Sequence, residues 1–413
     1  MKRYALPFPI RLRLYFFTAL MLIALSSFVN AQQTTLPWIG TWGVAPASET
    51  IDPSNNGGLT FSKQTLRQSI HTSIGGTSAR IHISNVYGSG PITVDDVHIA
   101  RSAGGSDIDA TTDEVVTFRG KTTVTIGKGA IAYSDEINFK VPALGDVSVS
   151  MYLPSSTPIA NITTHVFTEA TNYFASGDVS GQASLPGAQS NPQYYFLTGL
   201  DVLNDSATGA VATVGASITD GYASTDGANH RWPNFLAERL HGAGLQVGVL
   251  NEGISGNQLL SDNDPIYGVS AEHRFTRDAL MQPGVRWVVF SDNPINDLGN
   301  PTIPASRLIN AIKSLINRAH AQNLKFLCST LTPFQGSGGW TQEGETTREA
   351  INTWIRSAGS DCDAVIDQDV ATHDPKNPER YRPAYDSGDH LHPNDDGYRA
   401  ISRAVPLTIF SQP

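Results

Sequence analysis

Positive charge is scarce in this chain: 28 Lys and Arg stand against 38 Asp and Glu, a formal net charge of −10 over 413 residues. Such an acidic balance argues against nucleic acid as a partner and against anionic membrane surfaces. No group of His, Cys, Asp or Glu has the spacing of a metal site, and no internal repeat or low-complexity tract occurs, so nothing in the sequence calls for a metal or a cofactor. Long apolar runs are missing too. The one extended run, Leu14 to Leu25, is short for a spanning helix, and no long apolar lid suited to a lipid interface follows. With 40% hydrophobic and 16% charged residues, and length enough for two cores, the composition is that of a soluble globular protein.

That apolar run is preceded by Lys2, Arg3, Arg11 and Arg13 and followed by the small residues Val29-Asn30-Ala31. Basic start, short apolar centre and small-residue exit predict a secretory signal peptide over residues 1–31, with an uncleaved anchor as the alternative. A secreted protein, extracellular or periplasmic, without stable membrane association after cleavage is the expectation. The only cysteines, Cys328 and Cys362, both fall in the exported part. They are either a disulfide or two buried thiols.

Two textures divide the remainder. Residues 32–208 show short alternating runs such as Ala79 to Ser84, Thr122 to Ile126 and Asp146 to Tyr152, punctuated by Gly and Asn, which predict an all-β sandwich domain. Aromatics at Trp38, Trp42, Tyr87, Tyr173, Tyr194 and Tyr195 are either a sugar platform or core. From 209 to 413, buried strands at Val211 to Val214, Gln246 to Leu250, Arg286 to Phe290, Leu324 to Leu331 and Ala364 to Asp367 alternate with helical patterns, predicting right-handed crossovers and a parallel sheet.

Two short stretches carry chemistry. Gly215-Ala216-Ser217 follows the first of these strands directly, placing a serine at the carboxyl edge of the sheet, where open α/β sheets bind ligands. Asp389-His390-Leu391-His392 lies near the end of the chain. A serine hydroxyl needs a base to take its proton and the base needs an orienting acid, so Ser217, His392 and Asp389 form a candidate triad.

In the order of these motifs the chain resembles the SGNH hydrolases, the GDSL-type esterase/lipase family. Gly215-Ala216-Ser217 matches its first block, Gly256 its second, Pro294-Ile295-Asn296-Asp297 its third and Asp389 to His392 its last. The opening Trp38 to Trp42 further resembles a secreted subset with a β domain ahead of the hydrolase domain. The resemblance implies a flavodoxin-like three-layer α/β domain with a parallel sheet, and an oxyanion hole made of the Ser217 N–H, the Gly256 N–H and the Asn296 side-chain amide.

Two positions depart from the family. Ala216 replaces an aspartate expected to brace neighbouring loops, and Pro294 replaces a glycine and removes a backbone donor. Asp292 and Asn293, just before Pro294, are either substrate contacts or loop groups bonding backbone. Trp340, in the glycine-rich loop from Thr332 to Gly344, either covers substrate or lies in a solvated loop, and His390 touches substrate or is structural. The expected function is removal of O-acyl groups, most simply acetyl, from a carbohydrate through an acyl-Ser217 intermediate. A lipid or aryl esterase, a glycosidase using Asp220, Asp292 or Asp389, and a non-catalytic glycan-binding protein are the alternatives.

Overall fold

A computed structural model describes residues 37–50, 61–157, 160–263, 265–300 and 302–411. The signal segment expected over 1–31 lies outside the described residues. Residues 36–413 form one compact unit. Among the described residues, no helix is long and apolar enough to cross a membrane.

The catalytic half is built on a five-stranded parallel sheet whose spatial order is Val247–Gly253, Gly209–Gly215, Val285–Phe290, Lys325–Ser329, Ala364–Ile366. Numbered along the chain this is 2-1-3-4-5, the flavodoxin-like order, which reverses beside the first strand and opens a crevice at its carboxyl end. Apolar β-branched residues fill these strands because helices cover the sheet, and all seven residues of Gly209–Gly215 are buried. Helix Trp232–Gly242 packs on Asp395–Ala404, and Ala305–His320 on Gln342–Arg356. Their ends follow local chemistry. Pro233 occupies the first turn of Trp232–Gly242, the Thr341 hydroxyl accepts from the Gly344 N–H at 2.9 Å, and the Asn394 side chain accepts from the Gly397 N–H at 3.1 Å. Cys328, in Lys325–Ser329, and Cys362, in the loop just before Ala364–Ile366, are joined in a disulfide with Cα atoms 5.8 Å apart.

The first half is antiparallel. One sheet pairs Ile39–Gly43, Leu197–Leu203, Ser78–Ser84 and Ile131–Tyr133; a larger one runs through Asn172–Ser176, Gln64–His71, Asp146–Leu153 and Ile92–Gly104; a small one joins Tyr194–Tyr195, Asn161–His165 and Ala47–Thr50. The alternation in Asp146–Leu153 suggests one solvated face, yet Ser148 and Ser150 are buried as well. At Ser150 the reason is Arg67, itself buried, which donates to Ser150 Oγ at 2.8 Å and to the carbonyls of Ser106, Ser180 and Gln182, so a guanidinium takes the place of water there.

The two halves meet backbone to backbone. Ile39–Gly43 lies against the edge strand Val247–Gly253, where a Cβ on Gly248 would come within 1.9 Å of the Gly40 carbonyl oxygen. Ala210 and Leu250 belong to the apolar cluster of the β half. Glycine at Gly40 and Gly248 therefore permits an approach no side chain would allow.

Candidate active site

The first strand ends in a tight turn because Gly215 lacks a side chain: a Cβ there would fall 2.0 Å from Thr219 Oγ1 and 2.5 Å from Asp292 Oδ1. One helical turn, Ser217–Asp220, follows and is closed by Gly221 at φ +106°. Ser217 Oγ lies 2.8 Å from His392 Nε2, and His392 Nδ1 lies 2.6 Å from Asp389 Oδ2. An Nδ1–H donated to the carboxylate leaves the Nε2 lone pair facing the serine hydroxyl.

Asp389 is placed by its own turn. Its Oδ1 accepts from the backbone N–H groups of Leu391 at 2.9 Å and His392 at 2.8 Å. Burial raises its pKa, but the imidazole and these two N–H bonds outweigh burial and hold it well below the ordinary carboxylate range. Asn394, which caps the last helix, also donates to the Ala384 carbonyl at 3.0 Å, anchoring the segment that carries His392.

The loops that carry the three candidate donors are tied to one another. The loop after the second strand is tied to the nucleophile turn by Ile254 N–H to the Gly215 carbonyl at 3.2 Å and by Ser255, whose N–H and hydroxyl donate to Asp220 at 3.0 and 2.7 Å. The same loop is tied to the third-strand loop: Asn296 Nδ2 donates to the Asn257 carbonyl at 3.0 Å and Gln258 Nε2 to the Asn296 carbonyl at 2.9 Å. One of the two amide hydrogens of Asn296 is used in this way. The backbone hydrogen bonds among the described residues give no acceptor to the N–H of Ser217 or of Gly256. Gly256 sits at φ +78°, and a Cβ there would press 2.5 Å from the Tyr267 ring, so both conformation and space require glycine.

Beneath the site lies Arg274, fully buried. It donates to the carbonyls of Gly215 and Glu252 at 2.9 and 2.7 Å and to Asn257 Oδ1 at 2.9 Å, with Asp278 as counter-charge at 3.2 Å. Burial pushes its pKa down while Asp278 pulls the other way. One planar fork thus joins the ends of two strands and the Gly256 loop.

Several expectations require correction. The carboxylate missing at Ala216 is supplied from elsewhere: Asp292, 1% exposed, accepts from the Ile218 N–H at 2.9 Å and the Thr219 hydroxyl at 2.5 Å. Asp292 is therefore a brace of the nucleophile turn and not a substrate contact. Asn293 is also buried and donates to Asn257 Oδ1 at 2.9 Å, so it belongs to the Arg274 network. Pro294 falls in the first turn of the short 3-10 helix Asn293–Asn296, where a backbone donor is dispensable. Trp340 packs on the core of the catalytic half. His390, at φ +63°, binds Asp386 Oδ2 at 2.5 Å, and its ring closes over Gly336; it links two loops and is not brought to Ser217. Asp220, a carboxylate considered for glycosidic chemistry, is 3% exposed and engaged by Ser255 and His165. Of the aromatics considered as a sugar platform, Tyr194 and Tyr195 are core, Trp38 lies against Arg80, and the Tyr87 hydroxyl accepts from Arg277. Trp42, Tyr173 and Tyr194 line a cleft of about 360 Å³ that reaches Asp220 but does not include Ser217.

The β half adds two residues that no local pattern marked. His165, 3% exposed, places Nδ1 2.8 Å from the Ala45 carbonyl and Nε2 3.1 Å from Asp220 Oδ1. Phe167 meets Tyr222 edge to face, and Tyr222 packs against the His392 ring with centroids 4.6 Å apart. Among the described residues no group of three or more His, Cys, Asp or Glu could hold a metal ion.

Residues 213–400 match the model of the GDSL-like lipase/acylhydrolase family. No curated protein matches the chain. Among solved structures it is similar to a family two carbohydrate esterase from Clostridium thermocellum in complex with cellohexaose, with 12% identity over 86% of this chain and 96% of that one and a TM-score of 0.37. It is also similar to a mutant acetyl-xylooligosaccharide esterase from Geobacillus, with 18% identity over 50% and 96% and a TM-score of 0.38. A GDSL-like lipase from Bacteroides thetaiotaomicron is 18% identical over 49% of this chain and 88% of its own, with a TM-score of 0.37.

Proposed function

We propose that this chain, whose residues 213–400 match the model of the GDSL-like lipase/acylhydrolase family, is a secreted ester hydrolase that removes O-acetyl groups from a carbohydrate through an acyl-Ser217 intermediate. The observation that carries the reading is the run of contacts from Ser217 Oγ through His392 to Asp389, at 2.8 and 2.6 Å.

In the first step His392 Nε2 takes the proton of Ser217 as Oγ attacks the ester carbonyl carbon. Negative charge then gathers on the carbonyl oxygen, facing the N–H groups of Ser217 and Gly256 and the free amide hydrogen of Asn296, which are held in place by the bonds described above. His392 returns the proton to the departing sugar oxygen. Water, activated by the same imidazole, hydrolyses the acyl-serine. Asp389 stays ionised throughout, its pKa held low by its N–H partners, and stabilises the imidazolium.

The acidic net charge and the exposed ring of Phe167, which the β half brings to Tyr222 and so toward His392, support a hydrated glycan over a lipid interface. The disulfide and the basic-then-apolar N-terminus support export. The test is to express the full chain, recover the exported protein, confirm an N-terminus at Gln32, and assay it on p-nitrophenyl acetate and acetylated xylan beside Ser217→Ala and His392→Ala. Acetate release should fall about 10⁴- to 10⁶-fold in both variants. Reducing ends in place of acetate, surviving in Ser217→Ala, would replace this reading with carboxylate-driven glycosidic cleavage.

A further inference from the structure

We infer that Phe167, carried to the active site by the β half, is the platform on which the sugar bearing the scissile ester stacks, and that the adjoining cavity accepts the neighbouring, uncharged sugar. This rests on the carbohydrate reading above and names the residue that enforces it.

The first support is position. Phe167 and Tyr222 have ring centroids 6.2 Å apart at 78°, and Tyr222 lies on the ring of the catalytic imidazole. The second is exposure, since Phe167 is 39% and Tyr222 38% accessible, in a chain that buries most of its large aromatics. A pyranose offers a face of C–H groups to an aromatic ring, with electropositive hydrogens meeting the negative π face.

Backbone conformation is the third. Phe167 has φ +60° and Glu169 φ +42°, a region that residues with a side chain rarely adopt. The loop is held there by the Arg231 guanidinium, which donates to the carbonyls of Thr168 and Glu169, and by the Thr168 hydroxyl, which bonds the Pro192 carbonyl at 2.9 Å. A clamp from the catalytic half thus keeps the loop in an unfavourable conformation that leaves Phe167 at the surface beside Tyr222, which in turn packs on His392.

A cavity of about 360 Å³ adjoins this ring, a size in the range of small-ligand sites, about 300–1,000 Å³. Phe167, Pro192 and Ile266 give it an apolar side, and Glu49, Glu169 and Asp226 a rim of acceptors. Hydroxyl groups suit such acceptors, whereas a uronate would meet three carboxylates at close range.

The test compares wild type, Phe167→Asn and Phe167→Tyr on p-nitrophenyl acetate, an acetylated xylooligosaccharide and an acetylated galacturonan oligosaccharide. Asparagine removes the ring while tolerating positive φ, so the loop keeps its path. Expected is a fall of about tenfold or more in the ratio of kcat/KM for the xylooligosaccharide to that for the aryl ester in Phe167→Asn, mainly through KM, restoration of the ratio by Phe167→Tyr, and preference of wild type for the neutral over the anionic oligosaccharide. An unchanged ratio in Phe167→Asn would overturn the platform, and equal rates on neutral and anionic oligosaccharides would overturn the cavity assignment, both leaving the esterase intact. Wild type that cleaves the aryl ester but neither oligosaccharide would remove the carbohydrate reading and this inference with it.

Discussion

The two halves of the molecule contribute to one site in different ways. The parallel α/β half supplies every group that would exchange a proton or meet the oxyanion, each on a loop at the carboxyl edge of its sheet, and these loops are tied to one another by Ser255, Asn257, Arg274 and Asn296. The β half supplies no reacting group. It reaches the site through a buried imidazole behind the nucleophile turn and an exposed ring in front of it. Chemistry is thus local to one half, while its placement draws on both, and a β half that only accompanied the enzyme would have no reason to bury His165 against Asp220.

His165→Ala is the sharpest way to break that comparison. Both imidazole nitrogens face acceptors, the Ala45 carbonyl and Asp220, and deleting the ring leaves a buried carboxylate without that partner. Leaving a buried hydrogen-bonding group without its partner costs on the order of 1–3 kcal/mol. Urea unfolding should show a loss of that size, and kcat on p-nitrophenyl acetate should fall with it, because Asp220 also holds Ser255 against the nucleophile turn. Stability within about 0.5 kcal/mol of wild type, with full turnover, would mean that the β half does not position the catalytic turn.

A change confined to the catalytic half should instead touch rate and spare the fold. Asn296→Ala removes a candidate oxyanion donor and its bond to the Asn257 carbonyl. The expected loss is about 10²- to 10³-fold in kcat, with KM little changed, since this contact matures only as charge develops. A loss expressed wholly in KM would remove Asn296 from the oxyanion hole and leave it as a loop tie.

The same contrast explains what could be read from the sequence. Ser217, Asp389 and His392 stood out because each follows a strand or precedes a helix in a short motif whose residue types the chemistry dictates, and the strand–helix alternation predicted the parallel sheet; Gly256 and Asn296 were reached only through the family resemblance. Boundaries were less legible. The second strand continues through Asn251 and Glu252 to Gly253, polar residues that read as loop, because the pairing with Gly209–Gly215 runs on through them and Asn251 Nδ2 donates to the Thr219 carbonyl at 2.9 Å. Asp292 read as a group at the sheet edge and serves as a brace, since its partners Ile218 and Thr219 lie more than seventy residues away in sequence. His165 and Phe167 carried no signal at all. Nothing in the local pattern of a β strand end marks a contact with a turn fifty residues later, and of the six aromatics that the sequence did bring forward two, Tyr194 and Tyr195, are core.

The smallest expected effect is a slope with pH. Asp297, directly after Asn296, accepts the N–H groups of Leu259 and Leu260 at 2.7 and 3.3 Å and so fixes the far end of the Gly256 loop. Burial pushes its pKa up from 3.8 to about 6, against those N–H bonds and Arg307, which pull it down. Because the folded value lies above the unfolded one, the native state holds the proton more tightly across this window. The resulting stabilisation is fully present below pH 3.8 and is lost as pH rises to about 6, at up to about 1.36 kcal/mol per pH unit. Other carboxylates, Asp363, Asp367 and Asp389 among them, are shifted down and slope the opposite way, so the measurement is a difference. Unfolding free energies of wild type and Asp297→Asn, taken at intervals from pH 4 to pH 7, should diverge steadily up to about pH 6 and run parallel above it, the variant gaining relative to wild type as pH rises. Curves parallel throughout would mean that Asp297 is ionised over the whole range and that the two N–H bonds outweigh its burial.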